Sequence, residues 1–272
     1  MSEQAPKGVN PQIPNAARMY DYFLGGKDNF PADRELAELV LSVLPEARDG
    51  ALQNRKLIGR VVEYLVERGV RQFLDLGSGL PAAENVHEVA HRFAPDARVV
   101  YVDADPVVCA HGRALLADPE RVAMVEADAR DPRAVLEQPD VRRLLDLSRP
   151  VAVLMMFFLH LVPDSDEPQK FVSHYREALA PGSYLAISHV GTDVAPERSA
   201  RISEFYRQAN APFCPRPGTE IAAFFGDFEL IPPGLASGLG PDLVWPFADP
   251  EAMLFLDEEL ARMGYAGIGR KP

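Results

Sequence analysis

The sequence predicts an α/β fold in which a largely parallel sheet is covered by helices. Five apolar runs after residue 69 alternate with segments long enough to form crossover helices. The first run ends in "FLDLGSGLPAAEN", where an acid and two glycines follow the apolar stretch directly. The chain has 272 residues, 47% hydrophobic and 25% charged, enough to bury one large core without forcing a second domain.

In chain order, residues 1–15 contain three prolines and several polar residues and read as an extended arm. Residues 16–24 can form a short helix that Gly25 and Gly26 interrupt. A second helix is expected over 32–44, with an apolar face at Leu36, Leu39, Val40 and Val43. A third is expected over 51–68, with Leu57, Val61, Tyr64 and Leu65 at helical spacing and Gly69 at its end. The strand candidates are then "VRQFLDL", "RVVYVDA", "VAMVEAD", "PVAVLMMFF" and "GSYLAISHV". Residues 83–93, 107–116 and 169–179 are the clearest helices among them. Such a sheet should hold its ligand beyond the carboxyl ends of the strands. Further on, 198–210 reads as helix, 216–225 as a short helix starting near Thr219, "FELIPPG" as a strand and "GYAGIGRKP" as a closing strand. Residues 234–249, which include Trp245, read as a long loop. No repeat stands out.

A net charge of −12 weighs against nucleic acid and anionic membranes as partners. Cys109 and Cys214 are too few for a disulfide scaffold or a structural zinc cluster. The first fifteen residues have no apolar signal core, and no apolar run has the length of a membrane span. A reduced, cytoplasmic setting is the expectation.

The glycine corner admits several ligands. Gly77, Gly79 and Ala82 satisfy G-x-G-x-x-G/A, a weak signal alone because several nucleotide folds need the same close turn. No lysine followed by serine or threonine completes a Walker A loop, which removes the phosphate and magnesium ligands of an ATPase. A nicotinamide dinucleotide is harder to dismiss, since Asp103 ends the next strand, although its distance from Gly77 exceeds the usual spacing of roughly 20 residues. Asp75, however, would repel a pyrophosphate and welcome an amine. S-adenosyl-L-methionine carries such an amine. Asp75 with Gly77, Ser78 and Gly79 could hold its methionyl end, Asp103 with Ala104 its ribose, and Asp128 with Ala129 its adenine. Singly, each acid could equally be a strand-end cap; together they trace one elongated ligand.

The chain also resembles the actinobacterial S-adenosylmethionine-dependent methyltransferases long catalogued as a domain of unknown function. The likeness spans nearly all of it, through "PNAARMYDYFLGGKDNFPADRE", "RQFLDLGSGLP", "NVHEVAHRFAPDARVVYVDADP", "ADARDP", "VPDSDEP", "LAPGSYLAISH" and "YAGIGRKP". The resemblance implies a class I methyltransferase, a Rossmann-like sheet that is mostly parallel with an antiparallel closing strand. It also implies a division into an N-terminal arm and helical lid (1–50) and a catalytic core (51–272). Its relatives usually carry threonine at Ser78, and the stretch around Trp245 departs from their Trp-Arg-Pro-Asp pattern.

Within the lid, Gly25 and Gly26 would provide the turn, Tyr20 or Tyr22 would cover a ring, and Arg18 or Lys27 would meet the cofactor carboxylate; the plain alternative is a helix terminus packed against the sheet. Phe157 is expected to pack on the cofactor. His160, at the exit of the fourth strand, is the candidate base for proton removal from a small-molecule acceptor, with a second, purely structural reading beside it. "HEVAH" matches a zinc-protease pattern at His87, Glu88 and His91, but its helix is already committed to the cofactor corner, so no metal is expected. A dehydrogenase and a binding protein without turnover remain as alternatives, and the oligomeric state is open.

Overall fold

The computed structural model describes residues 9–115, 118–237, 246 and 262–272. Its helices are α1 (Ala16–Phe23), α2 (Pro31–Val43), α3 (Ala47–Glu67), α4 (Val86–Phe93), α5 (Pro106–Leu115), α6 (Pro132–Leu136), α7 (Pro139–Leu144), α8 (Pro168–Ala178), α9 (Pro196–Phe205) and α10 (Gly218–Ala223). Its strands are β1 (Gln72–Leu76), β2 (Arg98–Asp103), β3 (Val122–Glu126), β4 (Ala152–Met156), β5 (Tyr184–Val190), β6 (Glu229–Leu230), β7 (Ala236–Ser237) and β8 (Gly264–Arg270).

The strands form one sheet in the order β3-β2-β1-β4-β5-β8-β6, with β7 also pairing with β8. The first five are parallel, and β8 runs antiparallel to β5 in a register that sets Tyr184 against Arg270 and Val190 against Gly264. The strand order reverses on either side of β1, so the crevice outside β1 and β4 is where such a sheet binds ligands.

Alternation along each strand divides the core into two apolar layers. Phe73, Val99 and Tyr101 face α3, α4 and α5, where Leu65, Val89 and Val108 meet them. Leu74, Leu76, Val100 and Val102 face the opposite side, packing with Leu144 of α7 and Phe171 and Tyr175 of α8. By the same alternation Asp75 falls on the α3 side.

A third cluster lies apart from both. Met19 and Phe23 of α1, Leu36, Ala37 and Val40 of α2, Ala51 of α3, Ile202 of α9 and the adjoining Tyr206 form a small core of their own. It caps the carboxyl edge of the sheet. Asn15 caps α1 by accepting hydrogen bonds from the amides of Ala17 and Arg18 at 2.8 and 3.1 Å. Pro31 opens α2, and Asp33 accepts from the Phe30 amide at 2.7 Å.

Several expectations need correction. Leu39 is not on the buried face of α2: it is 43% exposed, because the helix turns the Leu36–Ala37–Val40 stripe toward α1 and α9. The helix expected from residue 83 starts at Val86, where Asn85 and Glu88 form a capping box. "FELIPPG" contributes two strand residues only, since Pro232 and Pro233 have no amide to donate to the ladder. Within the expected 234–249 loop, Ala236 and Ser237 pair with β8; Trp245 lies outside the described residues. The helices α6 and α7 complete the crossover from β3 to β4.

Candidate active site

The chain turns sharply at the end of β1. Gly77 and Gly79 take φ of +70° and +67°, a region that side chains disfavour. The amides of Gly77 and Ser78 both donate to the Val102 carbonyl, at 2.9 and 3.2 Å, tying the corner to β2. A Cβ on Gly77 would strike the Phe158 ring, whereas one on Gly79 would meet nothing within 4 Å. The corner therefore presents open backbone at Gly79.

Next to it, Asp103 accepts from the Gly79 amide at 2.9 Å through one carboxylate oxygen and from the Asp105 amide at 2.9 Å through the other. Burial raises its pKa above the usual range despite these bonds. Burial also pushes Asp75 up to about 7, with the Arg55 guanidinium opposing and the Asp103 charge adding to the rise. Asp75 therefore titrates near neutrality, which weakens the argument that its fixed charge repels a pyrophosphate. At the third strand end, Asp128 is paired with its neighbour Arg130 at 2.6 Å, which holds its carboxyl below the ordinary range. Arg130 also reaches Asp166 at 2.6 Å.

These groups share the wall of one cavity of about 630 Å³, within the range of small-molecule sites. Gly77, Ser78, Gly79, Asp103, Ala104, Asp128, Ala129, Phe157 and His160 line it, as do Arg18 and Tyr20 from α1. Asp75, buried in β1, is not among the residues that line it. Gly25, Gly26 and Lys27 are placed elsewhere, around an adjoining hollow of about 290 Å³ that shares Ala17, Tyr20, Leu80 and Ala82 with the main cavity.

The cap is bound to the sheet by a polar chain. Tyr20 donates to the Ala51 carbonyl at 2.9 Å and accepts from Asn54 at 3.0 Å. Ser188 of β5 donates to Asn54 at 2.6 Å and accepts from the Phe157 amide at 2.9 Å. Burial pushes the Tyr20 hydroxyl up to about 12. Arg18 is 3% exposed, and its guanidinium bonds Asp33 and the Ile13 carbonyl, both at 2.8 Å. Its remaining nitrogen is 3.8 Å from Asp105. Arg18 thus already holds the cap together, which limits it as a cofactor ligand.

His160 is 6% exposed, and its Nδ1 is buried with no hydrogen-bond partner among the described residues. Its ring meets Phe157, Phe213 and His189 edge-on, with centroids 5.1, 5.5 and 5.5 Å away. Burial, and then the neighbouring His189 and Arg216, hold its pKa well below the ordinary histidine value. His189 is pushed down to about 3, chiefly by burial. Its Nδ1 is 2.7 Å from the Val190 carbonyl, to which only a protonated nitrogen can donate, so Nε2 is left to accept from Arg216 at 3.3 Å.

The "HEVAH" helix has a structural account. His87 Nδ1 bonds the Tyr101 hydroxyl at 2.7 Å, His91 Nε2 bonds the Ala97 carbonyl at 2.9 Å, and Glu88 accepts from the Asn85 amide at 2.8 Å.

The family model described as S-adenosyl methyltransferase matches residues 2–272. The chain belongs to this S-adenosyl methyltransferase family. Consistent with that, it is similar to a candidate methyltransferase from Thermobifida fusca, at 43% identity and TM-score 0.89, with 99% of each chain covered. A DUF574 family protein from Streptomyces avermitilis matches at 37% identity and TM-score 0.89, covering 96% of this chain and 99% of its own. The plantazolicin methyltransferase BpumL, at 10% identity and TM-score 0.53, shares the fold alone. No curated protein matches the chain.

Membership of an S-adenosylmethionine-dependent family sets aside the dehydrogenase and the binder without turnover. The site of this methyltransferase fits the cofactor on its own chemistry. Open backbone at Gly79, the buried Ser78 hydroxyl with no partner among the described residues, and the Asp103 carboxylate stand side by side on one wall. Sequence reasoning missed Arg55, which lines the same wall and bonds the Ala83 carbonyl at 2.9 Å and Asn85 at 3.1 Å. It predicted the helix now seen as α9 but not its place at the site, where Ile202, with Tyr206 and Phe213 beyond the helix, lines the cavity. No helix among the described residues is long and apolar enough to cross a membrane.

Proposed function

We propose that this methyltransferase binds S-adenosylmethionine along the ends of β1, β2 and β3 and passes its methyl group to a small molecule held between the sheet and the cap. The observation that carries this reading is the shared wall: the glycine corner, Asp103 and Ala129 line the same cavity as His160. Gly77, Ser78 and Gly79 would receive the methionyl end, with Asp75 beneath them facing its amine. Arg55, beside the same corner, is better placed for its carboxylate than Arg18, which bonds Asp33, or Lys27, which is exposed in the adjoining hollow. Asp103 keeps acceptor capacity for ribose hydroxyls, since its two oxygens offer about four lone-pair sites and backbone amides take only part of them. The adenine would lie against Ala129, with Asp128 turned partly away by Arg130.

When bound, the cofactor supplies a methyl group on a positively charged sulfur, already activated for transfer. The protein then has to align, exclude water and take up a proton. Phe157 and Tyr20, edge to face with centroids 6.4 Å apart, would form the floor and the lid of the junction between cofactor and acceptor. His160, neutral at physiological pH, offers a lone pair to the acceptor's proton. The cap of residues 16–44 and α9 excludes solvent.

Calorimetry with S-adenosylhomocysteine tests the assignment. Asp103→Ala should weaken binding by about tenfold or more, the worth of charge-assisted hydrogen bonds. Unchanged affinity would remove the ribose role.

A further inference from the structure

The cap side of the cavity has a chemical character that narrows the acceptor. Four rings follow one another along the wall: Phe157 to His160 at 5.1 Å, His160 to Phe213 at 5.5 Å, and Phe213 to Tyr206 at 5.2 Å. Phe23, Leu161 and Ile202 add apolar surface to the same cavity. A surface of this kind gains most from a flat aromatic ligand, by area burial and by ring-edge contacts.

Polar side chains share the cavity with these rings, among them Gln53, whose Oε1 is buried with no hydrogen-bond partner among the described residues, and Asn54, already bonded to Tyr20 and Ser188. His160 makes no side-chain hydrogen bond to a described residue, and its Nδ1 is buried without one. Behind it stand His189 and then Arg216, a guanidinium 4% exposed that bonds the Leu159 and Val162 carbonyls at 2.9 and 2.8 Å. Asp164, 85% exposed, pairs with Arg216 at 2.6 Å on its outer side. The carboxylate of Glu46 also lines the cavity; its Oε2 lies 3.9 Å from Arg198 and is buried with no hydrogen-bond partner among the described residues.

We propose that the acceptor is an aromatic molecule bearing an uncharged, weakly acidic hydroxyl, a phenol or enol, which faces His160 in the ring-lined half of the cavity. This rests on the reading that the cofactor occupies the β1–β3 side. A carboxylate acceptor would lose its hydration among these rings, where the guanidinium of Arg216 is already taken by two carbonyls and Asp164. An amine would leave the reaction as an ammonium ion, which beside His160 is held against the field of buried Arg216; only an acceptor reaching Glu46 would meet an opposite charge. A hydroxyl suits the site on both counts. Its oxygen lone pair forms the O–CH3 bond as the S–CH3 bond breaks and leaves its electron pair on sulfur. The hydroxyl proton, made strongly acidic by bond formation, passes to the unprotonated nitrogen of His160 and from there to solvent. Even a weakly basic imidazole suffices for that proton.

Three probes with one ring system test this: 2-naphthol, 2-naphthoate and 2-naphthylmethylammonium, titrated into the protein saturated with S-adenosylhomocysteine. The naphthol should bind, with the two ions weaker by about tenfold or more. Phe213→Ala, and the milder Phe213→Leu in case the first variant fails to fold, should weaken naphthol binding by about tenfold and about threefold while leaving the affinity for S-adenosylhomocysteine unchanged. With S-adenosylmethionine, mass spectrometry should find the methyl ether of the naphthol. Equal or tighter binding of either ion overturns the proposal. So does absence of naphthol binding in protein that still binds S-adenosylhomocysteine. Failure to bind S-adenosylhomocysteine itself is a separate result, which removes the cofactor reading underneath.

Discussion

At the scale of single residues, the buried ionisable groups carry the most testable consequences. Asp75 titrates near 7 in the folded protein against about 3.9 unfolded, so the fold binds the proton more tightly. That stabilisation is complete below about pH 4 and is lost as pH rises through 7. Asp75→Asn should therefore gain about 1–2 kcal/mol of stability at pH 8, a gain that disappears near pH 4, while S-adenosylhomocysteine binds about tenfold more weakly. A variant less stable than the parent at pH 8 would show that the carboxylate is not strained. His160 and His189 behave oppositely. Their folded pKa values are depressed, so the neutral rings contribute stability above about pH 6.5 that is lost as pH falls, over a range reaching about 3 for His189. The loss is about 1.4 kcal/mol per pH unit for each ring. Denaturant unfolding at pH 7.5 and 5.0 should show a smaller drop for His160→Gln than for the parent; an equal drop would mean that His160 is not held neutral by the fold. Sequence could place Asp75, Asp103 and His160 at strand ends, because an acid or histidine after an apolar run is visible. It could not reveal that Asp128 spends its charge on Arg130, or that Arg18 is engaged by Asp33, since both pairings depend on how loops and caps close.

At the scale of elements, the cap is the part whose stability is most local. Asp33, fully buried, accepts from the amides of Asn15 and Phe30 at 2.8 and 2.7 Å and from Arg18 at 2.8 Å, so one carboxylate joins the start of α1 to the start of α2. Asp33→Ala leaves Arg18 buried without its main partner and should cost about 3–5 kcal/mol. Because the cap has its own apolar cluster, hydrogen exchange should lose protection in α1 and α2 and keep it in β1–β5. Uniform loss across the sheet would mean that cap and core fold as one unit. The helices of the cap were readable from their spacing and from Gly25. The role of α9 was not, because Ile202 and the adjoining Tyr206 show an apolar face without showing which distant helix covers it. The short pairing of Ala236 with β8 was hidden for a related reason: two residues carry no period.

At the scale of the whole molecule, the parallel sheet and its reversal of strand order at β1 decide where chemistry can occur. Alternating apolar runs and helices made that sheet legible, and the antiparallel β8 followed only from resemblance, since periodicity does not report strand direction. The sheet brings Gly77, Gly79 and Asp103 to one edge, and the cap encloses the space above them. The central claim is that this enclosed space holds S-adenosylmethionine beside an acceptor at His160. A crystal structure with S-adenosylhomocysteine tests it most directly. The account predicts its methionyl end against Gly77–Gly79, its ribose hydroxyls on Asp103, its adenine against Ala129, and free space beside its sulfur bounded by Phe157, His160 and Phe213. A ligand found outside this cavity, or one whose sulfur faces away from His160, would contradict it.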